Sequence, residues 1–100
     1  MYGEVRMELI FEIIDKSRRK IHLSKERWNH VLRHPEMANQ IERITETLQY
    51  PTTILQFWED PKVHFYFRYY KDKREYLFVS VKYLNGDGFL ITSYYTDIIK

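Results

Sequence analysis

The sequence contains no cysteine. Disulfides, thiolate zinc sites and cysteine nucleophiles are therefore excluded at the outset. It has no long apolar run either, and nothing approaches the roughly 18 residues that a membrane-crossing helix needs. The first stretch, MYGEVRMELIFEIIDK, carries Glu4, Arg6, Glu8 and Glu12 through its apolar part, which a signal peptide does not tolerate. There is no repeat, low-complexity tract or linker. Charge is nearly balanced at +2, too little on its own to imply nucleic acid. A chain of 100 residues, 44% of them hydrophobic, is expected to form one domain over 1–100 with a real core. Its expected compartment is the cytoplasm, with no membrane partner.

What the sequence does have is aromatic side chains, 17% of the total and nine of them tyrosine. Charge is also uneven. From Pro61 onward, Lys62, Arg68, Lys71, Lys73, Arg74, Lys82 and Lys100 face only Asp72, Glu75, Asp87 and Asp97. Cations hold phosphates and aromatic rings stack on bases, so a basic, Tyr-rich half suggests a polyanion surface. The same composition also describes the wet face of an ordinary β-sheet.

Periodicity predicts an α+β fold: an N-terminal β-hairpin, two helices, then a four-stranded antiparallel meander sheet. Met7, Leu9, Phe11 and Ile13 alternate with Glu8 and Glu12, a period of two. A polar turn leads to a second short strand over Lys20–Leu23. Ser24 reads as the cap of a helix over Lys25–Arg33 that buries Trp28, Val31 and Leu32. Arg27, His30 and His34 then fall on one flank of it, at about 100° per residue. Pro35 suits the first position of a second helix running to about Gln49, with His34 as its cap and Met37, Ile41, Ile44 and Leu48 as its buried stripe. Strands follow over Thr53–Trp58, Lys62–Tyr70, Arg74–Tyr83 and Phe89–Tyr95. Their short joins, including the hairpin signal Asn85-Gly-Asp-Gly88, make an antiparallel meander the simplest topology.

Alternation then divides the sheet. Val63, Phe65, Phe67 and Tyr69 are expected against the helices with Leu77, Val79, Val81 and Tyr83. The opposite, open face would carry His64, Tyr66, Arg68, Tyr70, Ser80, Lys82, Thr92 and Tyr94. Register is critical, because a one-residue bulge inverts part of such a list. This set has chemical content. Cleaving RNA without metal needs a proton acceptor near the 2′-hydroxyl, a donor near the leaving 5′-oxygen and cations around the phosphorane. Histidine serves the first two near neutral pH, arginine and lysine the last, and aromatic rings stack the flanking bases.

Other readings of single residues are weaker. His30 and His34 stand at metal-ligand spacing, but only Glu36 lies near as a third ligand, so no metal or other cofactor is expected. His34 has a capping role as its alternative, and His30 a bond to a carbonyl. Arg68, among tyrosines, has a cation–π alternative. Thr92 and Ser93 lack the Gly-x-Ser-x-Gly setting of a nucleophile.

Three segments carry a resemblance: Ile21-His-Leu-Ser-Lys-Glu-Arg-Trp-Asn-His-Val-Leu-Arg-His-Pro-Glu-Met37, Glu46-Thr-Leu-Gln-Tyr-Pro51 and Gly88-Phe-Leu-Ile-Thr-Ser-Tyr94. Together they resemble the phage-type barnase/EndoU/colicin/RelE-like (BECR-fold) nuclease families. The Trp-x-His-x-x-x-His-Pro-Glu spacing is the most specific part. The resemblance implies metal-independent endoribonuclease activity by acid/base transphosphorylation, often in toxin-like or phage-associated settings. It maps family motif positions onto His30, His34, Thr92 and Tyr94, with Arg68 and Lys82 matching only as basic residues. With His64, Tyr66, Tyr70 and Ser80 as RNA-binding candidates, RNA becomes the expected partner, and a protein inhibitor a further one. An exposed outer strand leaves both a monomer and a homodimer open. The alternative is a non-catalytic RNA- or protein-binding module on the same fold.

Overall fold

The alternating N-terminal segments do form a hairpin, but it does not stand apart from the later strands. The structure, a computed structural model, describes residues 8–99. In chain order the elements are β1 (Leu9–Ile14), β2 (Lys20–Ser24), α1 (Lys25–Val31), α2 (Ile41–Gln49), β3 (Thr53–Gln56), β4 (Val63–Tyr70), β5 (Glu75–Leu84) and β6 (Asp87–Thr96). The fold is α+β. All six strands join one sheet in the order β1-β2-β6-β5-β4-β3. The stretch from β3 to β6 is the expected antiparallel meander. The correction is that β2 runs parallel to β6, through Ile21 opposite Gly88 and His22 opposite Phe89. The sheet is therefore mixed and six-stranded.

The helices are shorter than their periodicity suggests. Ser24 caps α1 as expected, its hydroxyl accepting from the Arg27 N–H at 3.1 Å. The helix stops at Val31, and Leu32 is exposed. Pro35–Met37 makes a single 3-10 turn rather than the start of a long helix. Ala38 is extended and Asn39 takes a φ of 65°, so α2 starts only at Ile41. His34 makes no side-chain capping bond. Met37, Ile44 and Leu48 are buried as expected, with Ile41 half-buried.

The β5–β6 join is a two-residue turn, Asn85-Gly86, between the paired Leu84 and Asp87. Both residues have positive φ, 54° and 87°, as a type I′ turn requires. A Cβ at Gly86 would meet nothing within 4 Å. Gly86→Ala is therefore expected to cost only the backbone term, about 1 kcal/mol, as a shift in the urea midpoint at unchanged slope.

The core lies between the helices and one face of the sheet. Ile21, Leu23, Val31, Met37, Ile44, Leu48, Leu77, Val79, Val81 and Leu90 fill it, all 2% exposed or less. Tyr66, Tyr70 and Tyr83 join them. The expected division of β5 holds, with Leu77, Val79, Val81 and Tyr83 inward. That of β4 is inverted: Tyr66 and Tyr70 point to the helices, while Phe65 and Phe67 lie on the other side with Phe78. In β6 the register shifts opposite Ser80/Val81. That bulge puts Leu90 in the core and still sends Thr92 and Tyr94 to the other face, paired with Ser80 and Phe78.

Candidate functional site

Of the ten residues singled out for function, all but His30 divide between the two faces of the sheet. His64, Tyr66, Arg68 and Tyr70 belong to the helix-packed face, so they do not share a surface with Lys82, Thr92 and Tyr94. The reason is that each of the four has partners there. The Tyr66 hydroxyl donates to Asp15 at 2.9 Å and lies 2.6 Å from that of Tyr83, which also donates to Asp15. Tyr70 donates to Glu46 at 2.6 Å. Burial, with the carboxylates beside them, pushes both phenols up to about 12. Arg68 donates to the Tyr50 carbonyl at 2.6 Å and pairs with Glu46 at 3.4 Å, so its charge is used within the fold. The His64 ring faces the Arg19 guanidinium at 3.4 Å. Burial and then that positive charge hold it below the usual histidine range.

The other face keeps a smaller set: Ser80, Lys82, Thr92 and Tyr94 from β5 and β6, joined by His34. That a helix-side histidine reaches this face follows from topology. Strands β2 and β6 pair over only two residues. The chain then leaves β2 into α1, which packs against β6. Its apolar flank, with Val31, turns to the core. The turn that follows α1, leading into the Pro35–Met37 3-10 turn packed on β6, lays His34 against Tyr94, with ring centroids 5.2 Å apart. His30 instead lines a cleft on the exposed helix surface with Glu26, Arg27, Asn29 and Arg33. Of the two histidines, His34 is the one laid on the sheet.

Distances along the strands order this set. Tyr94 is opposite Phe78, Thr92 opposite Ser80, and Lys82 lies two residues further on. At about 3.3 Å per residue, Lys82 begins about 13 Å from Tyr94. Its ammonium pairs with Asp60 at 3.2 Å. The Lys62 backbone N–H first, and Lys82 second, hold the Asp60 carboxyl below its ordinary value. Ser80 is on the face but buried beneath its neighbours, which leaves the Thr92 and Tyr94 hydroxyls as the accessible ones.

Two features of this face were not legible in the sequence. One is a row of rings across the strands, Tyr94 to Phe78 to Phe65 to Phe57, with centroids 4.8, 5.2 and 5.2 Å apart. Trp58 ends it, 85% exposed. The second is a groove of about 300 Å³ beside Lys82, where α1 begins. The i, i+2 spacing of Phe65 and Phe67 signals a ring row, but only with β4 assigned to the correct face.

Among the described residues no three His, Asp or Glu side chains converge as a metal site, and no helix is long and apolar enough to cross a membrane. Comparison with known protein families, curated proteins and solved structures returns no match.

Proposed function

We propose that this chain is a metal-independent endoribonuclease that cuts RNA by acid/base transphosphorylation. The observation that carries the reading is His34 lying against Tyr94, beside Thr92, on the open face of the sheet. The resemblance of the Trp-x-His-x-x-x-His-Pro-Glu segment supports it. In this reading the His34 imidazole takes the proton of the ribose 2′-hydroxyl. The 2′-oxygen bonds to phosphorus as the bond to the 5′-oxygen breaks, and that oxygen leaves with a proton from solvent or a neighbouring hydroxyl. Thr92 and Tyr94 hydrogen-bond the non-bridging oxygens, where charge grows in the transition state. Arg68 drops out, because it is on the other face. Lys82 sits too far along the strand to share the His34 phosphate directly, and acts on the adjoining nucleotide.

The test is a gel assay of mixed RNAs in excess EDTA. The expected products carry 2′,3′-cyclic phosphate and 5′-hydroxyl ends. His34→Ala should lower the rate by at least about a hundredfold, the low end for losing a proton-transfer group, while the Arg68→Ala protein, once folded, should cut normally. Intact RNA, or cleavage only with added metal, would rule the mechanism out.

The row of rings ending at Trp58 favours a second reading, a module that binds RNA without cutting it. Base stacking supplies affinity without chemistry. That reading predicts salt-sensitive RNA binding with no products under any condition.

A further inference from the structure

The groove where α1 leaves β2 is built differently from the rest of the open face. Its floor is the Phe89 ring with Leu90, Ile91 and the half-exposed Leu84, and its rims carry Arg27 and Glu26 from α1 and Lys82 from β5. At about 300 Å³ it stands at the small end of ligand sites, fit for a single base and sugar. His22 stacks on the Phe89 ring with centroids 5.0 Å apart and planes 17° apart. The His22 ring is fixed in turn, its Nδ1 3.0 Å from Glu12 and its Nε2 3.2 Å from Asp87. With both nitrogens engaged by carboxylates, His22 is a wall of the site. An aromatic plate between two cations is the chemistry that holds a base by its face and a phosphate by its charge.

We propose that this groove binds one nucleoside monophosphate unit of single-stranded RNA, next to the phosphate at His34 and Tyr94. The base lies on Phe89 against Ile91. The Glu26 carboxylate accepts from the N–H groups of the base edge. The phosphate falls between Arg27 and Lys82, whose ammonium turns from Asp60 to reach it. Position supports the pairing with the adjoining site: Lys82 is two residues beyond the partner of Thr92 on the same face. The proposal rests on the ribonuclease reading only for the word next; the binding itself does not need cleavage.

The test is an NMR titration of the intact chain with 3′-phosphates of guanosine, adenosine, cytidine and uridine, followed by cleavage assays. Saturable shifts are expected at Ser24, Arg27, Lys82, Phe89 and Ile91. Phe89→Ala should weaken binding about tenfold, near the lower end for a lost stacked base. Phe89→Leu keeps the apolar fill and removes only the ring, so a matching loss there separates stacking from folding. In cleavage, both variants should raise KM more than they lower kcat. Shifts confined to the Trp58 and Phe65 region, or affinity unchanged in Phe89→Leu, would overturn the inference. Binding in the groove by a protein that leaves RNA intact in EDTA would uphold it and reject the nuclease reading.

Discussion

Replacing Asp15 by alanine is expected to destabilise the fold by about 3 kcal/mol, the range for stranding buried polar partners of a charged group. Asp15 is 4% exposed. Its carboxylate accepts from the Tyr66 and Tyr83 hydroxyls, from the Ser17 hydroxyl at 2.6 Å, and from the Ser17 and Arg19 backbone at 2.8 and 3.0 Å. Arg19 covers the cluster, 3.4 Å above the Tyr83 ring. One side chain thus ties the β1–β2 turn to β4 and β5, and removing it leaves the two buried phenols only each other, so that one hydroxyl has no acceptor. For a domain of this size the loss corresponds to a fall in Tm of roughly 15 °C. A loss under about 1 kcal/mol, no more than one ordinary hydrogen bond, would show that water replaces the carboxylate without penalty.

The same residue fixes a pH dependence. Burial alone raises the Asp15 pKa, but the hydrogen bonds from Ser17, Tyr83, the Arg19 backbone and Tyr66 outweigh it and hold the carboxyl below its ordinary 3.8. A carboxyl with a depressed folded-state pKa binds its proton more readily when unfolded. Its stabilisation is therefore complete above the unfolded value and is lost as pH falls through the lower folded one. Urea denaturation at about pH 7 and about pH 3 should show this as a decline that Asp15→Asn flattens. An equal decline in both proteins would assign it to other carboxylates.

How much of this was legible in the sequence depended on whether a strand's two faces differ. In β5 they do: Leu77, Val79 and Val81 against Tyr76, Ser80 and Lys82, and the inward face could be read directly. In β4 both faces are aromatic, so alternation carries no sign. Polarity pointed the wrong way, because Tyr66 and Tyr70 look wetter than Phe65 and Phe67. What decides is long-range: Asp15 and Glu46, 51 and 24 residues away, offer acceptors to the phenols inside the core, and no local pattern reveals them. With β4 reversed, Arg68 and His64 left the candidate site. His34 stayed, although as a helix-side residue it conflicted with a sheet-face site. The conflict dissolves because the turn after α1 packs against β6 and lays His34 on Tyr94. The parallel contact of β2 with β6 was equally hidden, since it joins residues more than 60 apart through two pairs.

Gly88 is where that hidden contact is most exposed to test. Gly88→Ala is expected to cost about 3 kcal/mol, at the upper end for overpacking a core. A Cβ there would stand 2.3 Å from Ile21 Cδ1, 2.8 Å from Tyr83 Cε1 and 2.9 Å from Val81 Cγ1. All three side chains are buried, at 0, 6 and 0%, and cannot swing into solvent. The glycine is required by close approach and not by its φ, so alanine, which any strand accepts, is excluded on space alone. The nearest atom belongs to Ile21, the residue that pairs with Gly88 across the parallel junction. Relief therefore comes by pushing β2 away from β6, which separates His22 from Phe89 and shifts the start of α1. Two readouts follow from one methyl group: a lower urea midpoint, and loss of the ring-on-ring shift between His22 and Phe89 in the NMR spectrum. A compensating Ile21→Val, which removes the clashing Cδ1, should restore about 1 kcal/mol of the loss. A Gly88→Ala protein of full stability would mean that β2 and β6 are not packed as described, and the groove between them would lose its wall.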